Sequence, residues 1–481
     1  MTEQKFNWKY LISISLISAM GGLLFGYDFV VIGGAKPFYE PFFGITNHAF
    51  LQGWAMSCAL AGCLTGAVIS GWLSDKLGRK KLLIFSAGLF IAASLGTGAA
   101  NSFNVFVLFR IIGGVGIGLA SNLSPMYIAE ITPAKVRGRF VSINQLTIVI
   151  GILAAQLINW RIAQPVPPGA TASEILASWN GQTGWRMMFY ACTVPAVLFF
   201  ILMWFVPESP RWLAQNLDNH PKARRILNRI GGNEYSVSEF ASIEKTINEN
   251  LERKNIRFLN QPGISKLLIL GIVLAVFQQW CGINVIFNYA QEIFTNAGYS
   301  VSDILFNIVI TGCVNLIFTF IGMFTVDRLG RKALMLFGAG GLAGIYAVLG
   351  TMYFFHMQGL PLLIMVVTAI ACYAMSLAPV TWVVLSEIFP NRLRAKAMSI
   401  ATFSLWAACF ILTYTFPLLN QWLKASGTFW LYGFICLSGF LFIMKKLPET
   451  KGKSLEEIEH DMIKNKFNHG LHGVHRGDTE I

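Results

Sequence analysis

Gly71-Trp72-Leu73-Ser74-Asp75-Lys76-Leu77-Gly78-Arg79-Lys80 returns in the second part of the chain as Gly322-Met323-Phe324-Thr325-Val326-Asp327-Arg328-Leu329-Gly330-Arg331-Lys332. Each copy leaves a long apolar run, places an acid, turns through Gly-Arg-Lys and enters another apolar run. A duplicated acidic-then-basic loop inside a hydrophobic chain points to a membrane carrier built from two similar halves.

The 481 residues are 54% hydrophobic and only 13% charged, with a mean hydropathy of +0.56. That composition is too apolar for an ordinary soluble globule. Crossing the hydrocarbon core takes about 20 helical residues. Twelve stretches meet that length, roughly 10–33, 50–72, 81–101, 103–128, 140–160, 185–206, 264–290, 304–326, 333–354, 359–386, 397–420 and 428–447, and they form spans 1 to 12.

The formal net charge of +13 is not a nucleic-acid footprint, because the basic residues fall in alternate loops. Lys76, Arg79, Lys80 and Lys81 follow span 2; Lys135, Arg137 and Arg139 follow span 4. Arg328, Arg331 and Lys332 follow span 8, and Arg392, Arg394 and Lys396 follow span 10. The loops near 101–104, 355–360 and 421–427 carry almost no positive charge. The positive-inside rule therefore puts both termini in the cytoplasm, and an even span count agrees. Lys5 and Lys9 precede an apolar run without a signal-type cleavage site, so span 1 is read as retained. The eight cysteines lie mostly within spans and read as small buried hydrophobes rather than disulfide partners.

The longest polar interruption, roughly 208–266, holds Lys222, Arg224 and Arg225, then Glu244, Lys245 and Glu249. It reads as amphipathic cytoplasmic helices joining two six-span halves. The expected domains are an N-terminal bundle at 1–207, a helical linker at 208–263, a C-terminal bundle at 264–447 and a cytoplasmic tail at 448–481. Two further repeats support the halves. Glu130 precedes Arg137 as Glu387 precedes Arg394, and the sixth span of each half ends in Pro-Glu, at Pro207-Glu208-Ser209-Pro210-Arg211 and Pro448-Glu449-Thr450-Lys451-Gly452. Ordered correspondences of this kind are the mark of an internal repeat. Two parallel repeats related by an axis along the membrane normal form an alternating-access architecture.

With the paired Gly-Arg-Lys loops, the Pro-Glu-Ser-Pro-Arg end of span 6 and the Pro-Glu-Thr-Lys-Gly end of span 12, the chain resembles the sugar porter branch of the major facilitator superfamily over nearly its whole length. The resemblance implies an all-α membrane fold of twelve helices in two bundles and a monosaccharide as cargo.

Asp75 and Arg79 with Glu130, Arg137 and Glu208 form one set of loop charges; Asp327 and Arg331 with Glu387, Arg394 and Glu449 form the other. Exposed ion pairs contribute only about 0–1 kcal/mol each. Their use would be as an inner gate, with Asp75 pairing a basic residue such as Arg137 when the cytoplasmic mouth is shut, to bias a near-balanced equilibrium. Plain topology signalling accounts for the basic residues but not for the placed acids.

Asp28 and Arg110 are the exceptional charges within spans. Such groups cost about 2.5–3.5 kcal/mol on insertion scales and so face a partner or an aqueous cavity. Span 1 runs outward and span 4 inward, which brings both residues to similar depth in the outer half of the bilayer. A nearby guanidinium lowers a carboxylate pKa and burial raises it, so a rearrangement that changes either term changes proton affinity. Asp28 is the expected proton carrier tuned by Arg110; a permanently ionised Asp28 bracing Arg110 is the alternative. The resemblance adds that bacterial xylose/proton symporters carry Asp here and mammalian-type facilitators generally Asn. It also implies a Glu on span 6 in some proton-coupled relatives, where this chain has Cys192, so any relay rests on Asp28.

A neutral, hydroxyl-ringed sugar needs amide donors and acceptors and an aromatic face. Span 7 offers Gln278-Gln279-Trp280-Cys281-Gly282-Ile283-Asn284. On an ideal helix Gln279 and Asn284 point about 140° apart, so convergence needs a bend, for which Gly282 supplies the place. Gln145, Asn315, Trp382 and Trp406 are further candidates, and the family's binding pattern transfers to Gln145, Gln278, Gln279, Asn284, Asn315 and Trp382. Ile152, Leu405 and Asn288 depart from the xylose-symporter pattern and leave the monosaccharide, hexose or pentose, open.

Gly113-Gly114-Val115-Gly116-Ile117-Gly118 superficially matches a nucleotide loop but lies inside an apolar span, where close helix packing is expected. His469, His472 and His475 read as a solvated tail rather than a metal site. Neither a catalytic triad nor an ATP motif is present, so enzymatic group transfer and primary pumping are disfavoured and no cofactor is expected. The expectation is a proton-coupled monosaccharide importer of the bacterial inner membrane, functional as a monomer, with a facilitative uniporter and a non-transporting sugar sensor as alternatives.

Overall fold

The computed structural model describes residues 6–133, 136–167, 169–252, 262–296, 298–389 and 394–449. The basic loop with Arg392 and the chain from Thr450 onward, including His469, His472 and His475, lie outside the described residues. Among the described residues all regular secondary structure is helical, without strands.

The first six spans are Trp8–Phe43, Ala49–Leu77, Arg79–Ala99, Phe103–Ile131, Arg137–Ile162 and Asn180–Met203. The second half contributes Ser265–Asn288, Val301–Val326, Arg331–Phe354, Leu360–Leu385 and the 50-residue run Ala397–Lys446. That last run contains spans 11 and 12, divided at Lys424, whose φ of 58 interrupts the helix. Large apolar side chains such as Val194, Phe205, Phe324 and Phe434 point outward, as they must where the surrounding solvent is lipid.

Spans 1 and 10 differ from the expected pattern, and span 7 breaks at Gly282, where a bend is expected. Span 1 does not end near residue 33; it continues to Phe43, where Gly44 closes it in the left-handed conformation and returns its N–H to Glu40 and Pro41 carbonyls. Its last two turns therefore carry Lys36 and Glu40 into the protein interior. Span 7 stops at Trp280 and restarts at Ile283, with Gly282 between them at φ 85. Span 10 breaks at Ser376 between Leu360–Met375 and Leu377–Ile388; Pro379, just beyond, has no N–H and its ring opposes the carbonyl of Met375.

Between the halves, Ser209 caps the short helix Pro210–Leu213, and a longer helix, His220–Glu252, is kinked at Gly231–Gly232. The longer helix buries Ala223, Leu227, Ile230, Phe240 and Ile243 and exposes Arg224 and Arg225, as an amphipathic linker should. It is moored to span 1 where Asn7 N–H donates to the Ile230 carbonyl at 2.8 Å.

Inside the first half, spans 2 and 4, 1 and 5, and 3 and 4 pack most extensively. The glycine run of span 4 works here as a packing surface: a Cβ on Gly114 would strike the Ala59 carbonyl, and one on Gly118 the Cys63 carbonyl. The halves meet where span 2 packs on the span 11 helix and span 5 on span 8. Phe25 lies edge-on to Trp406 at 5.5 Å, Trp54 to Phe410 at 6.4 Å, and Val166 N–H donates to Ser302 Oγ at 3.0 Å. These contacts run from mid-membrane to the face opposite the termini.

Candidate functional site

The duplicated loop has a specific local purpose. Gly78 and Gly330 adopt positive φ and end spans 2 and 8, which leaves the first N–H groups of spans 3 and 9 without helical partners. Glu208 fills that vacancy in the first half, accepting from Arg79 N–H at 3.0 Å and Lys80 N–H at 3.1 Å. Glu449 does the same in the second half, accepting from Arg331 N–H at 2.9 Å and Lys332 N–H at 3.1 Å. A carboxylate at a helix N-terminus also meets the favourable end of the macrodipole. Burial pushes the Glu208 carboxyl up, opposed by the backbone N–H groups that donate to it.

The arginines of the same loops reach back to the ends of spans 4 and 10. Arg79 contacts Glu130 Oε1 at 2.9 Å, and Arg331 contacts Glu387 Oε1 at 3.0 Å. Ser209 adds a second bond to Glu130. Asp75 is largely exposed and lies 3.7 Å from Arg79, not against Arg137. Arg137 instead sits among the linker groups Arg211, Glu239 and Tyr235. Each of these ion pairs lies within one half or its linker. The side chains of Asp327 and Arg394 lie outside the described residues.

Asp28 and Arg110, which the sequence sets at similar depth, meet. Arg110 Nη1 donates to Asp28 Oδ1 at 2.7 Å and Nη2 to the Asp28 carbonyl at 3.3 Å, with both side chains buried. Arg110 also lies over the Phe189 ring of span 6 at 5.7 Å. Among the described residues, Asp28 Oδ2 and Arg110 Nε have no hydrogen-bond partner, so the pair is closed on one oxygen and open on the other. Cys192 is buried as well.

The break at Gly282 brings the span 7 amides together. Asn284 Nδ2 donates to Gln279 Oε1, Gln279 Nε2 donates to Gln278 Oε1 at 2.7 Å, and Gln278 Nε2 donates to the Tyr373 hydroxyl at 2.5 Å. An unbroken helix would have pointed Gln279 and Asn284 to different faces. Trp406 is buried and reaches Phe25 of the opposite half. Gln145 and Trp382 are partly buried and Asn315 is buried; no described hydrogen bond joins these three to the amide chain.

Sequence reasoning missed several polar groups. Tyr373, which ends the amide chain, sits in an apolar stretch of span 10 with no sequence neighbour to mark it. Gln156 is buried on span 5 beside Gly312 of span 8, and neither of its amide atoms has a hydrogen-bond partner among the described residues. Lys36, Glu40 and Glu292 form a buried charged group. A longer reading of span 1 would have placed the first two in the membrane and marked them as functional.

A family model described as sugar (and other) transporter matches residues 14–462. The D-xylose-proton symporter of Escherichia coli K12 is 38% identical, the match covering 95% of this chain and 96% of the relative. The arabinose-proton symporter of Bacillus subtilis 168 is 37% identical, again over 95% of this chain and 96% of the relative. Among solved structures, the inward-open conformation of the xylose transporter XylE from E. coli superimposes with a TM-score of 0.80 at 36% identity, covering 93% of this chain and 99% of that one.

Proposed function

The chain belongs to the sugar transporter family, and on that premise we propose that it imports a monosaccharide with a proton across the bacterial inner membrane by alternating access. The observation that carries the proton is the buried Asp28–Arg110 pair, which leaves Asp28 Oδ2 without a partner. Protonation of Asp28 loosens its hold on Arg110, so movement of spans 1 and 4 and proton load are linked. The relatives named above are proton symporters of D-xylose and arabinose, which supports the same coupling here.

Gln278, Gln279 and Asn284 form the proposed sugar-binding face, with Gln145, Asn315, Trp382 and Trp406 completing it. Their linked amides satisfy one another when empty and can exchange those bonds for sugar hydroxyls at little cost. Ile152 and Leu405 leave fewer polar partners on spans 5 and 11, so the cargo is a hexose or pentose recognised chiefly from span 7.

The two bodies that rock are 1–207 and 264–447, joined by the linker at 208–263, with both termini and the tail at 448–481 in the cytoplasm. The loop networks centred on Arg79 and Arg331 serve as the cytoplasmic gate machinery by keeping the mouth-lining ends of each body rigid. The working unit is a monomer.

Proteoliposome uptake tests the reading. An inward proton gradient is expected to concentrate a monosaccharide in the native protein. Counterflow without concentrative uptake would identify a facilitative uniporter, and absence of both with a panel of hexoses and pentoses would leave a sugar sensor.

A further inference from the structure

Lys36 has 1% of its side chain exposed, in the outer turns of span 1. It pairs with Glu292 of the segment after the span 7 break, stands 3.5 Å from Glu40 on its own helix, and lies over the Tyr289 ring at 4.6 Å. The Lys36–Glu292 pair joins the two halves on the face opposite the termini, beside the point where Gly33 approaches the Asn288 carbonyl.

The group is unbalanced in charge. One ammonium faces two carboxylates: Glu40 Oε1 lies 3.5 Å from Lys36 Nζ without a hydrogen bond, and Glu292 Oε2 has no hydrogen-bond partner among the described residues. Gln52 on span 2 donates to Glu40 Oε2 at 3.1 Å and to the Thr46 carbonyl at 2.7 Å, so it holds Glu40 without neutralising it. Among the described residues, the other titratable groups around the cluster are Tyr39 on span 1, Tyr289 after span 7, Cys58 on span 2, Arg110 on span 4 and Tyr432 on span 12. Arg110 is already engaged by Asp28. A surplus buried charge is costly, and a carboxylate in that position relieves it by binding a proton. Glu292 is one-quarter exposed whereas Glu40 is nearly enclosed, so Glu40 is the group that takes it.

We propose that Lys36, Glu40 and Glu292 form a proton-operated latch that closes the mouth opposite the termini. With the mouth open, Lys36 pairs with ionised Glu40 inside one half. Closure brings Glu292 to Lys36, and Glu40 takes a proton from the water on that side; reopening returns the proton to the same side. The latch thus sets how external pH biases the carrier's conformation, and it is separate from the proton carried by Asp28. It rests on the alternating-access reading.

The test is a distance measurement across that mouth. Spin labels at Phe50→Cys and Trp422→Cys, both exposed and in opposite halves, are followed by electron-electron resonance in a Cys313→Ser, Asp28→Asn background. Removing Asp28 isolates the latch. Acidification from about pH 8 to about pH 5, a range wide enough to load a buried carboxyl, is expected to enlarge the short-distance population. Glu40→Gln should hold the short distance at both pH values. Lys36→Met should enlarge the long-distance population at high pH, and if that variant does not fold, the near-isosteric Glu292→Gln, which removes the surplus charge, should abolish the pH response of the distances. A pH response unchanged by Glu40→Gln or Glu292→Gln, or distances unchanged by loss of Lys36, would overturn the latch. Sugar counterflow in the same labelled protein reports alternating access independently, so failure of the latch and failure of the transport reading are distinguishable.

Discussion

Arg110 Nη1 holds Asp28 Oδ1 at 2.7 Å while Asp28 Oδ2 is left without a hydrogen bond. A pair serving only to neutralise Arg110 would be better served by engaging both oxygens, as bidentate Arg–carboxylate pairs do. Asp28→Asn keeps the shape and an acceptor for Arg110 but cannot cycle a proton. The expected outcome is loss of proton-driven accumulation with sugar counterflow retained. Measuring both in one proteoliposome preparation checks it, and full accumulation by the variant would refute Asp28 as the carrier.

The chain Asn284 to Gln279 to Gln278 to Tyr373 predicts that single amide truncations weaken sugar binding modestly and not independently. Each lost hydrogen bond is worth about 0.5–1.5 kcal/mol, or roughly 2- to 13-fold in affinity. Gln279→Ala and Asn284→Ala should each fall in that range, and their combination should cost less than the sum because they share one bond. Titration calorimetry with the transported sugar gives the cycle directly.

How much was legible follows from which signals are local. The span count and the halves were readable because apolar length and loop charge are written in contiguous residues. The Asp28–Arg110 contact was readable because two costly charges at equal depth have few other places to go. The carboxylate caps were not: Arg79 belongs to the duplicated loop and Glu208 to the Pro-Glu end of span 6, and that one caps the helix begun by the other is a long-range relation. Lys36 was missed because the apolar run of span 1 ends near residue 33, whereas the helix runs on through Pro37 to Phe43. Tyr373 and Gln156 are single polar residues in apolar runs, and only packing gives them a neighbour.

Gly282 holds φ at 85, and a Cβ there would approach the Tyr432 ring to 2.8 Å. A left-handed conformation costs a residue with a Cβ about 1–2 kcal/mol before any clash. Gly282→Ala should therefore lower the melting temperature and weaken sugar binding together, by misaligning Asn284 with Gln279. Gly344→Ala is the control: its Cβ meets nothing within 4 Å, it lies within a regular helix, and alanine there should leave stability equal or improved. Equal behaviour of the two variants would show that the Gly282 conformation is unimportant.

Glu208 and Glu449 cap equivalent helices from equivalent places, so their truncations should match in size. Removing a capping side chain costs about 0.5–2 kcal/mol. Glu208→Ala strips the acceptor from the Arg79 and Lys80 N–H groups and should fall at the upper end of that range, because the site is partly buried. Glu208→Gln keeps a carbonyl oxygen, and since burial already disfavours the charged form at this position, it should recover most of the loss. Glu449→Ala and Glu449→Gln should repeat the pattern. The two sites lie in different halves and share no described partner, so the double Ala variant should show additive destabilisation. Thermal unfolding of the detergent-solubilised protein measures all five variants. If Glu208→Gln were as damaging as Glu208→Ala, the carboxylate charge, rather than the acceptor it presents to the helix, would be the stabilising feature.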